Sequence, residues 1–328
     1  MFARIIAVFC IFFTLLAEAK ELKVLMIGNS FSICVGKFLP QVVNSGNKHH
    51  LILTSAYIGG CSLQKHYNHL LKAEKDNSFK PYKISVWDSK NNPDKSVSEP
   101  GNLNTVLKTQ QFDIVTIQQN SANCWNFETF EPFAGELIKY IRKHQKNAEI
   151  ILHQTWAYRA DAPLLKKWGF DQQGMFERIE NSYRKLAEKY GLRMIPAGKA
   201  MQIFRAETPD KYQPIDLKAE YKEPALPDYS KDPVGISLWQ TTKAKGRHLH
   251  HDFSHLNDPG KYFQALVWYA FLFDESAADI KFIPKKMAAP VAILMQKSAD
   301  QAVKSYRRGN CKSYSKDGKD GIAKSCKW

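Results

Sequence analysis

The chain has 328 residues, 44% of them hydrophobic, and carries 47 Lys and Arg against 32 Asp and Glu, a formal net charge of +15. That apolar share, with 15 Pro, 17 Gly and 6 Cys over the whole length, excludes a disordered chain, a collagen-like repeat and a small disulfide scaffold. One large domain or two modest ones can bury a real core at this length, and the charge makes an anionic partner the first question.

Residues 1–19 come first in chain order. Arg4 precedes an apolar run from Ile5 to Leu16 and then Ala17-Glu18-Ala19, the basic, hydrophobic, small-x-small layout of a secretory signal peptide. No other stretch approaches the roughly 20 apolar residues of a membrane span, so a retained anchor is the weaker reading and no transmembrane segment is expected after cleavage. The expected location is periplasmic or secreted. Removing the segment takes away Cys10 and leaves an odd number of cysteines, so at least one has no partner within the chain. Cys311 and Cys326 bracket a short polar stretch and suit a tail-fastening disulfide in an oxidising compartment. The pairing of Cys34, Cys61 and Cys124 stays open. No two cysteines stand two to four residues apart, as a zinc knuckle requires.

After the leader, five short apolar or β-branched runs read as buried parallel strands: Leu22 to Ile27, Leu51 to Ala56, Asp113 to Gln118, Glu149 to His153 and Leu192 to Ile195. Helical patterns fall near 36–46, 62–75, 131–146, 174–190, 259–273 and 287–306. The alternation predicts a three-layer α/β domain with a mainly parallel five-stranded sheet over residues 20–303. Two segments break the rhythm: 78–104, an inserted hairpin or long loop, and 207–238, irregular and rich in proline. Residues 304–328 form a basic C-terminal tail. There is no internal repeat of solenoid or propeller length.

The first strand runs into Gly28-Asn29-Ser30-Phe31-Ser32. A serine at the carboxyl end of the first strand of an open sheet sits where such sheets bind ligands, and at a helix start it lies among unpaired N–H groups that stabilise an oxyanion. The competing reading makes Ser30 a helix N-cap only. The glycine spacing fits neither a P-loop nor a dinucleotide fingerprint.

A hydroxyl nucleophile needs a base and an orienting carboxylate. Residues 247–257 (RHLHHDFSHLN) crowd four histidines, of which His255 has an acid three positions upstream, Asp252. On a turn or loop that spacing lets the carboxylate hold one imidazole nitrogen while the other faces a serine. A metal site built from His248, His250 or His251 with Asp252 competes, as does a solvated His-rich loop without chemistry; the HExxH helical signature is missing.

Together, "GNSFS", "IGGCSLQKH", "DIVTIQQNS", "HQTWAY" and "HDFSHLN" resemble the SGNH (GDSL-type) hydrolase superfamily, most nearly a little-characterised secreted bacterial branch, over residues 22–273. The resemblance implies a flavodoxin-like α/β/α fold, Ser30 as nucleophile, His255 as general base and then acid, and Asp252 orienting His255. It also implies an oxyanion hole of the Ser30 N–H, the Gly60 N–H and a side-chain amide after the third strand. Here the sequence departs from the family's GxND block, having Gln118-Gln119-Asn120-Ser121 with no glycine. Gln119 is the expected donor, with Asn120 and Asn123 as competitors. Gln118, His153 and Trp156 are expected to contact substrate, Trp156 as an aromatic platform, against the reading that such an aromatic packs in the core. His66 and His69 read as surface or packing residues.

The expected activity is that of a secreted serine esterase without a cofactor, acting on O-acyl groups, such as O-acetyl, of extracellular glycans. The alternatives are a non-catalytic glycan-binding protein on a hydrolase fold and a His-rich metal-dependent hydrolase. From Lys304 onward, eight basic residues stand against two acidic ones. With much of the excess charge in the tail and no basic run interleaved with aromatics, nucleic-acid binding gives way to retention near anionic polysaccharide or an anionic envelope surface.

Overall fold

Eight residues, Glu21–Gly28, form a strand (β1) whose first three positions meet solvent and whose last five are buried, as in the middle of a parallel sheet. The computed structural model describes residues 18–314, with side chains through Tyr306. The leader up to residue 17 and the expected pairing of Cys311 with Cys326 lie outside the described residues.

From β1 the chain continues through α1 (Ser30–Ile33), α2 (Leu39–Ser45), β2 (His50–Tyr57), α3 (Leu63–Lys75), β3 (Tyr82–Asp88), β4 (Asn92–Gly101), α4 (Leu103–Thr109), β5 (Ile114–Ile117) and α5 (Phe133–His144). It proceeds through β6 (Glu149–His153), α6 (Pro163–Trp168), α7 (Gln172–Tyr190), β7 (Arg193–Ile195), α8 (Ala197–Glu207), β8 (Val234–Thr242), β9 (Gly246–Leu256), α9 (Asp258–Phe273) and α10 (Ala289–Tyr314). The five expected strands are β1, β2, β5, β6 and β7, and they pair in parallel. The sheet has seven strands rather than five, in the order β4-β3-β2-β1-β5-β6-β7. Residues 78–104 supply the other two: β3 pairs antiparallel with β2, and β4 with β3. Only β3 has a buried side, and β4 is a mostly exposed edge carrying Pro93, Lys95, Glu99 and Pro100. That polarity made the hairpin read as an insertion, whereas it guards the sheet edge.

Helices gather in two layers. α3, α4 and α5 pack on one another, as do α2, α8, α9 and α10. α9 is apolar around nearly its whole circumference and is almost entirely buried, as a helix between the sheet and an outer layer must be. α10 packs on α8 and α9 and continues past the expected end at residue 306, so the basic tail begins helical. Among the described residues no helix is long and apolar enough to cross a membrane.

The second break in rhythm is only partly irregular. Residues 208–233 hold no helix or strand, but β8 follows and pairs antiparallel with β9 in a separate two-stranded sheet. The histidine run is therefore on a strand, not on a turn or loop, because it pairs with β8, whose first half falls in the segment read as irregular.

Candidate active site

β1 has β2 on one side and β5 on the other, so the chain's direction across the sheet reverses at the carboxyl end of β1. Open α/β sheets leave a crevice at such a switch point. Ser30 follows there directly. The cap of α1 is Asn29, whose Oδ1 accepts from the Phe31 N–H at 3.0 Å; Ser30 is not the cap, and its hydroxyl is available for other work. Ser32 Oγ turns inward to the Asn29 carbonyl, and Gly28 admits it: a Cβ at Gly28 would come within 2.4 Å of that oxygen.

Asp252 and His255 arrive from the end of β9. His255 Nε2 lies 2.7 Å from Ser30 Oγ, and His255 Nδ1 lies 2.6 Å from Asp252 Oδ2. The other carboxylate oxygen, Oδ1, accepts from the Ser254 N–H (2.8 Å), the Ser254 hydroxyl (3.0 Å) and the His255 N–H (3.0 Å). Burial pushes the Asp252 carboxyl up, but the bonds from the His255 ring and from these backbone N–H groups outweigh it, and the group sits well below the usual carboxylate range. Asp252 is thus a fixed anion. The imidazole is 42% exposed against 21% for the carboxylate, so a substrate can reach the ring while the charge behind it is screened.

The other motif ends meet Ser30 from the flanking strands. After β2, Gly60 is exposed in the left-handed region at φ 61°, where a side chain would be strained, and its N–H has no partner among the described residues. After β5, three successive amides take different directions. Gln119, the expected donor, is fully buried: its Nε2 donates to the Thr129 carbonyl and hydroxyl, and its Oε1 accepts from the Leu63 and Asn120 N–H groups. It therefore clamps the loop and has no N–H to offer a substrate. Gln118 is also buried, its Nε2 donating to Asn29 Oδ1 at 2.7 Å, so it braces the turn at Ser30 from within and does not contact substrate. Asn120 is half-buried, and its Nδ2 donates to the Gly60 carbonyl at 3.1 Å, leaving the second N–H of that amide beside Gly60. Asn120 replaces Gln119 as the candidate amide.

The other two expected contacts are core residues. His153 is wholly buried, packs edge-on to Trp268 and takes the Gln264 amide on Nε2 at 2.8 Å; burial pushes its imidazole down to about 3, so it stays neutral. Trp156 is also wholly buried and is no platform: its Nε1 donates to the Ser254 carbonyl at 2.8 Å, and its ring stacks on Phe31 at 4.2 Å.

Cys34, Cys61 and Cys124 are free thiols, each pushed up to about 12 by burial. His66 is buried against Tyr82, and His69 packs on Phe79. In the histidine run, His251 bonds Ser237 and His248 the Gly246 carbonyl. No three His, Cys, Asp or Glu among the described residues gather closely enough to hold a metal ion.

Comparison with curated proteins finds no match. The solved structure of a DUF4886 family protein from Bacteroides uniformis is 23% identical, covering 87% of this chain and 95% of that one at a TM-score of 0.67, which shows a common fold. A candidate SGNH hydrolase from Slackia heliotrinireducens is 17% identical, with 76% and 97% covered and a TM-score of 0.45. A candidate GDSL-like lipase from Parabacteroides merdae is 15% identical, with 77% and 95% covered and a TM-score of 0.42. A family model described as a domain of unknown function (DUF4886) matches residues 23–217, ending before β9. With more than half of its length inside that model, the chain belongs to the DUF4886 family.

Proposed function

We propose that the protein is an exported serine esterase of SGNH type. The observation that carries the reading is the row Asp252–His255–Ser30, with contacts of 2.6 and 2.7 Å at the switch point of the sheet. His255 Nε2 takes the Ser30 proton as Oγ attacks an ester carbonyl, and the charge left on the ring is held by Asp252. The N–H groups of Ser30 and Gly60 and the Asn120 amide receive the oxyanion. Each such donor is typically worth about 3 kcal/mol in the transition state. His255 then returns the proton to the departing alcohol, leaving an acyl group on Ser30, and a water deprotonated by the same ring releases the acid.

For the substrate, acyl esters of extracellular glycans fit better than long-chain lipids. The loop beyond Asn120 offers half-buried Ser121 and Asn123, neutral groups suited to sugar hydroxyls. The leader-like N-terminus supports an extracellular target.

Purified protein lacking residues 1–19 should hydrolyse a short activated acyl ester, and Ser30→Ala should abolish turnover. Undiminished hydrolysis in Ser30→Ala, or hydrolysis lost on chelation, would overturn the reading. A higher kcat/KM on an O-acetylated oligosaccharide than on a long-chain aryl ester is expected; the reverse order would overturn the substrate class.

A further inference from the structure

We infer that Trp156 is a positioning residue that sets the acid–base strand against the nucleophile. The inference rests on the esterase reading.

β9 is not part of the seven-stranded sheet; its ladder joins it only to β8. No strand pairing of the main sheet therefore dictates how far His255 stands from Ser30. Within β9 the geometry is stiff, because Asp252 is bonded to the His255 ring and to the backbone of Ser254 and His255, so carboxylate and imidazole move as one body. What remains adjustable is the contact between that body and Ser30 Oγ.

Trp156 touches both sides of this contact. Its indole N–H holds the carbonyl of Ser254, the residue before His255, at 2.8 Å. Its ring lies nearly parallel to Phe31, the residue after Ser30, at 4.2 Å and 10°, and Phe31 in turn meets the His255 ring edge-on at 5.5 Å. The Arg159 N–H adds a second tie to β9 through the Phe253 carbonyl at 2.9 Å, but reaches only the acid–base side. Because Trp156 is wholly buried, no water competes for its N–H, and the bond fixes the strand more firmly than an exposed one would.

Displacing a catalytic group by about 1 Å can cost on the order of 100-fold in rate. Trp156→Phe keeps an aromatic ring near Phe31 and deletes the N–H. It should lower kcat on a short activated ester by roughly 10- to 100-fold, with KM changed by less than about twofold. The deciding measurement repeats the substitution in a His255→Ala background. A residue that acts by placing His255 has nothing left to place there, so the residual rate should change by less than about twofold. Wild-type kcat in Trp156→Phe, or the same fold-loss in both backgrounds, overturns the inference. If Trp156→Phe does not fold, Phe31→Leu, which removes the stack and leaves the indole bond, is carried through the same two backgrounds with the same deciding outcomes. Loss of hydrolysis in Ser30→Ala with full activity in Trp156→Phe would remove this inference alone. Absence of Ser30-dependent hydrolysis in the parent protein would remove both.

Discussion

Replacing Asp252 by Asn keeps the side chain's shape and exchanges one oxygen for an NH2, and the surroundings decide which one. Oδ1 accepts three donors at 2.8, 3.0 and 3.0 Å, so an NH2 on that side would oppose three hydrogens. The amide oxygen must take that position, which aims the NH2 at His255 Nδ1, where the carboxylate now sits at 2.6 Å. Nδ1 then becomes an acceptor and the ring proton moves to Nε2, facing Ser30 Oγ, so the imidazole can no longer take the serine proton. The imidazolium also loses its countercharge. In a comparable triad such a tautomer reversal costs about 10⁴-fold in kcat, or about 5.5 kcal/mol. The assay is kcat/KM on an activated short ester between pH 6 and 9, with the thermal midpoint as a control for folding and ring ¹⁵N shifts to locate the proton. Retention of more than a tenth of the activity, or a proton still on Nδ1, would mean that Asp252 does not set the tautomer of His255. Since the Asp252 carboxyl lies far below the usual range, no inflection of the parent profile above pH 5 should come from it.

Asn120→Ala should lower kcat by about 100-fold or more with the thermal midpoint unchanged. Gln119→Ala should instead cost about 2–4 kcal/mol in urea unfolding, because it strands the N–H groups of Leu63 and Asn120 and the Thr129 carbonyl; equal kinetic effects would refute the distinction. His66 and His153 are each pushed down to about 3 by burial, while an unfolded imidazole titrates near 6.5. Between those values the unfolded chain binds more protons, so stability is complete above pH 6.5 and falls with pH, by about 2 kcal/mol per imidazole at pH 5. Urea midpoints from pH 7 to 5 check this, and His153→Phe should flatten the slope. Deleting residues 307–328, which removes seven basic and two acidic residues, should weaken salt-sensitive retention on an acidic polysaccharide and spare small-ester hydrolysis. Unchanged retention would remove the tail from that role.

The five parallel strands were legible because each is a short apolar run buried on both faces. Ser30 was legible from its place at the end of the first strand, and Asp252 with His255 from their three-residue spacing; the fold brings the three together. Gln119 and Asn120 were not, since β5 ends at Ile117 and strand alternation no longer says which amide faces the crevice. Leu63, far upstream, and Thr129, in the loop beyond, decide it. Trp156 and His153 misled for the same reason: their partners, Ser254 and Gln264, belong to β9 and α9, about a hundred residues further on, and a polar tip at a strand end looks alike whether it meets a ligand or a buried carbonyl. Residues 78–104 were legible as a hairpin or long loop but not as part of the main sheet, because the charge and proline that protect an edge mask the strand pattern.

The split between β9 and the main sheet has a temporal side. Ser30 and His255 are 225 positions apart, and all seven strands of the principal sheet are complete by Ile195. A chain that stops short of residue 246 contains every one of those strands, the serine and the glycine turn, yet has no base to ionise the hydroxyl. Under the proposed mechanism Ser30 therefore lacks its base until β9 has been made and has docked beside the main sheet.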